Sequence, residues 1–544
     1  MVIRLAGGRV IDPAHGRDEI ADLWIENGRI IAQPTGRRVV ESFDLSGKIV
    51  MAGAIDIHSH IAGANVNTAR LLLPEHHRAH LTRPNETPLS QLGWSTIETG
   101  RLYAAMGFTT VVEPAIAPHT ALHAHLELAD TPIIDKAILA VLGNDDFLLS
   151  LMREKEGPHL IRDYVGSMLA SSRALGVKVI NAGAAMAFKH NLRSFGLDDV
   201  VPTYGVTSRA IVSALQQAVH ELGVPHPLHL HCNNLGLSGN VDTALETIAA
   251  FDGLPVHLAH LQFYSYGAEG KRGFSSAAAR LAAAVNAAKT VTIDVGQVMF
   301  GQTVTVSSDV LRQFAATKFA HPRKSIIIDG DTNGGGIVPI AYRQSSFTNA
   351  VQWSAGLELF LLIENPWRVF FTTDHPNGAP FTSYPELFAL LMDRNLRAAW
   401  IESLPKPALT MTTLPSIGRE YTLFEIATMT RASPAKLLGL SDRGHLGDGA
   451  VADIAVYHDL KDRAAMFRGA HLVFKNGEAV VRDGKVTHEI AGKTLHVAPS
   501  YDRAIDRKLD GYYERLYGVP RRLFVVPPEA RGFLGAFEKV PCAA

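Results

Sequence analysis

The sequence predicts an α/β chain: a (β/α)8 TIM-like barrel joined to a composite β-sandwich domain built from both chain ends. Three observations carry this. Between residues 51 and 440, near-continuous apolar runs such as GFTTVVEP, DKAILAVL, GVKVINAG, TVTIDVG and RVFFTTDHP recur, as expected of strands buried on both faces of a parallel sheet. Helix-length stretches such as TSRAIVSALQQAVHELG and SSAAARLAAAVNAAKT separate them, and this many β-then-α units in about 390 residues favours a barrel with insertions over a doubly wound sheet, the structural alternative. At both ends the pattern changes to short strands punctuated by turn pairs, Asn27-Gly28 on one side, Asn476-Gly477 and Asp483-Gly484 on the other. Such pairs supply the left-handed conformations of tight hairpins.

In chain order, residues 1–50 (GGRVIDP, ADLWIENGRIIAQ, RRVVESFDLSGKIV) form the first part of the sandwich, 51–440 the barrel, and 441–495 the second part of the sandwich. Residues 496–544 form a C-terminal extension. Its YDRAIDRKLDGYYERLYG reads as an aromatic helix and is followed by VPRRLFVVPPEARG; the extension is expected to pack on this or another subunit.

A chain of 544 residues allows about two to four domains. Apolar residues make up 47% and charged residues 19%, the composition of a folded globular protein. The net charge of -1 offers no overall field for nucleic acid or an anionic membrane. Cys232 and Cys542 are the two cysteines, too few for an iron–sulfur cluster, an all-cysteine zinc site or a disulfide framework. MVIRLAGGRVIDP lacks a signal-peptide core and nothing later reaches a membrane-spanning length, so a cytoplasmic location is expected and the sequon at Asn85 is read as chance. HExxH, GxSxG and Walker A spacings are absent, and Gly334-Gly335-Gly336 and GHLGDG at 444–449 do not match GxGxxG. Histidine, with 24 residues, stands out.

The histidines that matter fall at strand ends. In Ala54-Ile55-Asp56-Ile57-His58-Ser59-His60, residues two apart share a strand face, so His58 and His60 can converge on one ion; active sites of such barrels lie at the carboxyl ends of the strands. Lys178 alternates with Val177 and Val179 and so faces the barrel interior. It is either paired with a carboxylate or carbamylated by carbon dioxide to bridge two metals. An ordinary lysine is neutral in only about one molecule in 2,500 at pH 7, so carbamylation requires a depressed pKa, attributed to neighbouring dications. His229 and His231 share a face, and His231 is preferred as nearer the strand end. His257 and His260 are three apart and fall on opposite faces; His260 is the rim candidate, and His257 is expected among helices or in core packing. Asp374, in FFTTDHP, is the candidate base.

His76, His77, His80, His119, His123 and His125 are expected in surface or rim segments. Asn233 and Asn234 could orient a substrate amide or form a turn, and NGGGIVPIAYR at 333–343 could approach a ligand or be a plain loop.

An HxH pair, an inward lysine, two strand-end histidines and an aspartate, flanked by a split β-domain, resemble the amidohydrolase superfamily with binuclear zinc, over about residues 1–490. The segments DIHSHIAG, GVKVINAG, LHLHCNNLG, VHLAHLQFYSYG, NGGGIVPI and FFTTDHPNGAPF further resemble the A subunits of formylmethanofuran dehydrogenases. Length and cysteine content bring the chain closer to the A subunits of bacterial formyltransferase/hydrolase complexes. The resemblance implies two Zn(2+) held by His58, His60, Lys178 as N6-carboxylysine, His231, His260 and Asp374, with Asp374 also the acid/base.

It further implies hydrolysis of the formyl amide of formyl-methanofuran, or of the bacterial analogue methylofuran, to formate and the free carrier amine. The implied partners are a formyltransferase subunit, with others of B, C and D type, and with no nucleic acid and no membrane. Alternatives are a formate-condensing subunit of a formylmethanofuran dehydrogenase, a cyclic amidase of the hydantoinase or dihydroorotase kind, and a metal-free scaffold subunit.

Overall fold

The computed structural model describes residues 2–72, 95–192, 194–307, 309, 313–320, 326–327, 336–527 and 536–543. His76, His77, His80, the sequon and Gly334-Gly335 lie outside them.

Eight strands pair in chain order and run parallel: Ala54–Asp56, Phe108–Ile116, Asp135–Leu142, Gly176–Ile180, Leu228–His231, Val256–Leu258, Val291–Asp294 and Val369–Phe370. Helices including Pro158–Ser172, Ser208–Glu221, Val241–Phe251 and Ala278–Ala287 connect them and bury Val165, Leu215, Ile248 and Leu281 against the sheet. The eighth strand meets the first at the carboxyl end. There Ser59 bridges His375, the His60 N–H donates to the His375 carbonyl (2.8 Å), and the Thr372 hydroxyl donates to the His58 carbonyl (2.6 Å). A doubly wound sheet has two separate edges and a reversal of strand order; this sheet follows the chain around and meets itself, as a TIM-like barrel does.

The second unit is one nine-stranded sheet. Val2–Asp12, Arg17–Glu26, Arg29–Ile31, Val39–Asp44 and Lys48–Ala52 come from the amino end; Ile454–His458, Leu472–Lys475, Glu478–Arg482 and Lys485–Val486 come from the carboxyl side. The halves join where Lys48–Ala52 pairs antiparallel with Ile454–His458. Curling of the sheet brings Leu5, Val10, Ile25, Val50, Ile454 and Phe474 into one core. Both Asn-Gly pairs adopt positive φ, 51° and 77° at Asn27-Gly28 and 51° and 79° at Asn476-Gly477, which matches the twist of a tight hairpin. The two turns touch, so a Cβ on Gly28 would lie 2.8 Å from the Asn476 carbonyl oxygen.

Barrel and sheet are joined through buried charge. Asp135, at the foot of the third strand, accepts from Arg443 Nε (2.9 Å) and the Lys493 N–H (2.8 Å) and lies 2.8 Å from Lys475 Nζ. Lys475 also donates to Asp453 (2.6 Å).

The C-terminal extension packs on this barrel. Thr494–His496 pairs in parallel with the third barrel strand and Phe537–Lys539 continues that edge, so the 441–495 segment ends inside the barrel sheet. The extension's Ala504–Tyr517 helix lies against the Pro158–Ser172 helix, where Ser167 Oγ donates to Asp506 (2.7 Å). His125, expected at a rim, is buried, and its Nε2 lies 2.9 Å from the Ser172 carbonyl oxygen. It occupies the inner face of the Ala121–Ala129 helix, which sequence spacing alone did not separate from the outer one.

Between the seventh and eighth strands, Gly301–Thr305, Ile326–Ile327 and Gly336–Tyr342 form an antiparallel sheet. The stretch read as a glycine-rich loop is thus a strand from Gly336 on, because IVPIAY has apolar residues to bury; Ile337 packs with Val304, Val306 and Ala69. Among the described residues, no helix is long and apolar enough to cross a membrane.

Candidate metal centre

A cavity of about 50 Å³, room for one or two waters, opens at the carboxyl ends of the barrel strands. His58, His60, Lys178, His231, His260 and Asp374 all line it. His58 and His60 follow directly on the first strand. Asp56 fixes that turn, accepting from the His58 N–H (3.0 Å) and the hydroxyls of Tyr103 (2.8 Å) and Tyr384 (2.5 Å). Asp374 has a left-handed φ of 51° and its N–H donates to Thr372 Oγ1 (2.9 Å). This turn places Asp374 Oδ1 3.1 Å from His58 Nε2 and 3.4 Å from His60 Nε2. One donor atom each from His58, His60 and Asp374 thus lies within 4.8 Å of the others.

Lys178 and His229 are cross-strand neighbours, as are His229 and His257, so these three buried residues form one inward layer. Lys178 reaches up to the cavity. His229 lies beneath it, with Nε2 3.1 Å from His58 Nδ1, and its strand-mate His231 lines the cavity above. His257 is not among helices: its Nε2 lies 3.0 Å from Asp294 Oδ2 and its Nδ1 2.9 Å from Thr292 Oγ1. His257 and His260 do not fall on opposite faces, because the strand ends at Leu258 and His260 adopts φ 35°. Once the chain leaves the extended ladder, parity no longer assigns faces. Gly296 admits this bend, since a Cβ there would sit 2.3 Å from His260 Cβ.

Asn233 and Asn234 do not line the cavity. Asn233 Nδ2 donates to Ser208 Oγ (2.9 Å), and Asn234, with φ 66°, accepts from the Phe195 N–H (2.9 Å). Their side chains hold the loop beyond the fifth strand.

The sequence reading missed three carboxylates. Glu113 Oε1 lies 3.0 Å from His60 Nδ1, and its Oε2 accepts from the N–H groups of Ile61 (2.7 Å) and Ala62 (3.1 Å). Asp294 lies beneath His58. Asp309 Oδ2 lies 3.3 Å from His231 Nε2 and accepts from Asn181 Nδ2 (2.6 Å). Glu113 and Asp294 carried the signal that identified Asp374, an acid in the last positions of an otherwise apolar barrel strand (TTVVEP, VTIDVG). Asp309 sits in the inserted segment and carried none.

Burial holds the imidazoles of His231 and His260 below their ordinary range, so they offer lone pairs without first losing a proton. His60 differs: against a burial that would lower it, Glu113 and Asp374 push it up to about 9. Asp374 goes the other way: although burial favours its neutral form, His260 and His58 hold it well below the carboxylate range. Burial also pushes the Lys178 ammonium down to about 8, with Asp294, Asp374 and Glu113 opposing. At pH 7 about one Lys178 in ten is then neutral, so burial supplies much of the depression that dications were expected to provide.

These residues fit a divalent transition metal. Nitrogen and carboxylate donors in a compact set suit zinc, and the buried Lys178 Nζ and His260 Nδ1 have no hydrogen-bond partner. Both leading histidines also have a carboxylate behind the nitrogen that faces away from Asp374, the usual support of a metal-bound imidazole.

Residues 41–488 match the family described as "Amidohydrolase family". Over 550 aligned residues the chain is 50% identical to the A-type subunit of the formyltransferase/hydrolase complex Fhc of Methylorubrum extorquens, covering 100% of both. It is 38% identical over 520 residues to protein FwdA of Methanocaldococcus jannaschii, covering 91% of this chain and 90% of the other. A chain in the crystal structure of the FhcABCD complex from Methylorubrum extorquens with methylofuran superposes with a TM-score of 0.95 at 50% identity, over 100% of each chain.

Proposed function

We propose, on the premise that this chain belongs to the amidohydrolase family, that it hydrolyses the formyl amide of a formylated furan carrier, releasing formate and the carrier amine. It does so as the A-type subunit of a formyltransferase/hydrolase complex with B, C and D type partners. The observation that carries this reading is the 50% identity over 100% of both chains: the split β-domain, barrel and extension all have counterparts in one component of that complex.

In this reading His58, His60, His231, His260, Asp374 and an N6-carboxylated Lys178 hold two zinc ions. What a bound pair of zinc ions supplies is polarisation of the formyl oxygen and a water acidic enough to attack near neutral pH. A formamide resists hydrolysis because nitrogen donates into the carbonyl and the amine leaves poorly. Asp374 Oδ1, ionised and held among His58 and His60, accepts the proton of the attacking water and delivers it to the departing nitrogen. Glu113 keeps the His60 ring turned so that Nε2 faces Asp374.

The test is to purify the chain with its native partners, supply formylated carrier without an electron acceptor, and measure formate. Formate release is expected, with dihydroorotate and hydantoins left intact. No formate, or formate strictly dependent on an electron acceptor, overturns the hydrolase reading.

A further inference from the structure

We infer that Asp294 is a positioning residue that sets the tautomer of His58 and the backbone of His260 together, and that the His226–His229–His58–Asp294 row beneath the cavity is hydrogen-bonded support for the centre, not a second place for a cation. This rests on the reading that His58 binds metal.

Asp294 ends the seventh strand and is fully buried. Three imidazole nitrogens converge on its Oδ2: His58 Nδ1 at 3.0 Å, His257 Nε2 at 3.0 Å and His229 Nε2 at 3.6 Å. Its Oδ1 accepts the His260 N–H at 2.6 Å. An ionised carboxylate only accepts hydrogen bonds. His58 must therefore carry a proton on Nδ1, and once a metal takes the place of the proton shared with Asp374, its Nε2 lone pair faces the cavity. The row continues below: His229 Nε2 lies 3.1 Å from His58 Nδ1 and its Nδ1 lies 3.1 Å from His226 Nε2.

His58, His229 and Asp294 also bring donor atoms within 4.8 Å of one another. A cation there would have to displace the protons that hold the row together. It would also need His58 Nδ1, the nitrogen whose proton leaves Nε2 free for the cavity. From the seventh strand, the single acid thus ties the bend after the adjacent sixth, which carries His260, to the turn after the first, which carries His58, across the eighth.

Asparagine at 294 has nearly the same shape but presents an NH2 group to nitrogens that now donate. His58 then moves its proton to Nε2, and the cavity loses a lone pair. The experiment uses the chain in its native complex, stripped of metal and titrated with Co(II). Asp294→Asn should bind cobalt about 10- to 100-fold more weakly, with an altered visible d–d spectrum, while His257→Gln, which removes one of the converging donors, stays close to wild type. Independently of any variant, ¹⁵N NMR of histidine-labelled, zinc-loaded wild type should show His58 protonated on Nδ1. Wild type that binds no cobalt overturns the metal reading itself. Equal cobalt affinity and spectrum in wild type and Asp294→Asn, or a zinc-loaded wild type in which His58 Nδ1 carries no proton, overturns this inference alone.

Discussion

Replacing Lys178 by methionine separates a functional lysine from a structural one, because the two roles predict opposite signs. Lys178 is buried and its Nζ has no hydrogen-bond partner. Burial, opposed by Asp294, Asp374 and Glu113, takes its ammonium from 10.5 to about 8. At about 1.36 kcal/mol per pH unit, that drop costs the metal-free fold about 3 kcal/mol at pH 7. The folded chain binds fewer protons than the unfolded one between about pH 8 and 10.5, so the cost is complete below pH 8 and gone above 10.5. Methionine nearly conserves the volume. Metal-free Lys178→Met should therefore unfold in urea with up to about 3 kcal/mol more stability than metal-free wild type at pH 7, the gain fading towards pH 10.5. Loaded with zinc, the order should reverse, since wild type gains binding free energy that the variant has lost, and metal analysis should show the variant depleted. A metal-free variant less stable than wild type, or one that keeps two zinc ions and full activity, would refute the reasoning.

Asp374→Asn should lose about 10²- to 10⁴-fold in turnover while keeping most of its metal; near-normal turnover in a steady-state formate assay removes Asp374 from proton transfer. Lys475→Met should destabilise the chain by about 3–5 kcal/mol, because it leaves Asp135 and Asp453 buried at the joint between barrel and sheet; urea unfolding measures this, and a loss under about 1 kcal/mol counts against the joint. Burial lowers His125 from 6.5 to about 4. The unfolded chain therefore binds more protons in that window, and stability should fall as pH drops from 6.5 to 4 by up to about 1.4 kcal/mol per pH unit. His125→Gln should flatten that slope, and an unchanged slope assigns the acid sensitivity elsewhere.

What the sequence determined by itself was whatever depends on neighbours in the chain. Apolar strands alternating with helices, Asn-Gly pairs at hairpins, the HxH step beyond the first strand, the inward parity of Lys178 and the acid closing FFTTD are all local patterns, set by backbone periodicity and turn sterics. Tertiary structure decided what depends on register between strands far apart in the chain. Parity puts His229 and His231 on one face, and only cross-strand pairing places His229 beneath the cavity and His231 at its wall. His257 and His260 escaped parity because the strand stops between them. Glu113 and Asp294 were visible as strand-end acids, yet their partners His60 and His58 lie 53 and 236 residues away. A buried carboxylate takes its role from the donors that surround it, and those donors are assembled by closure of the barrel.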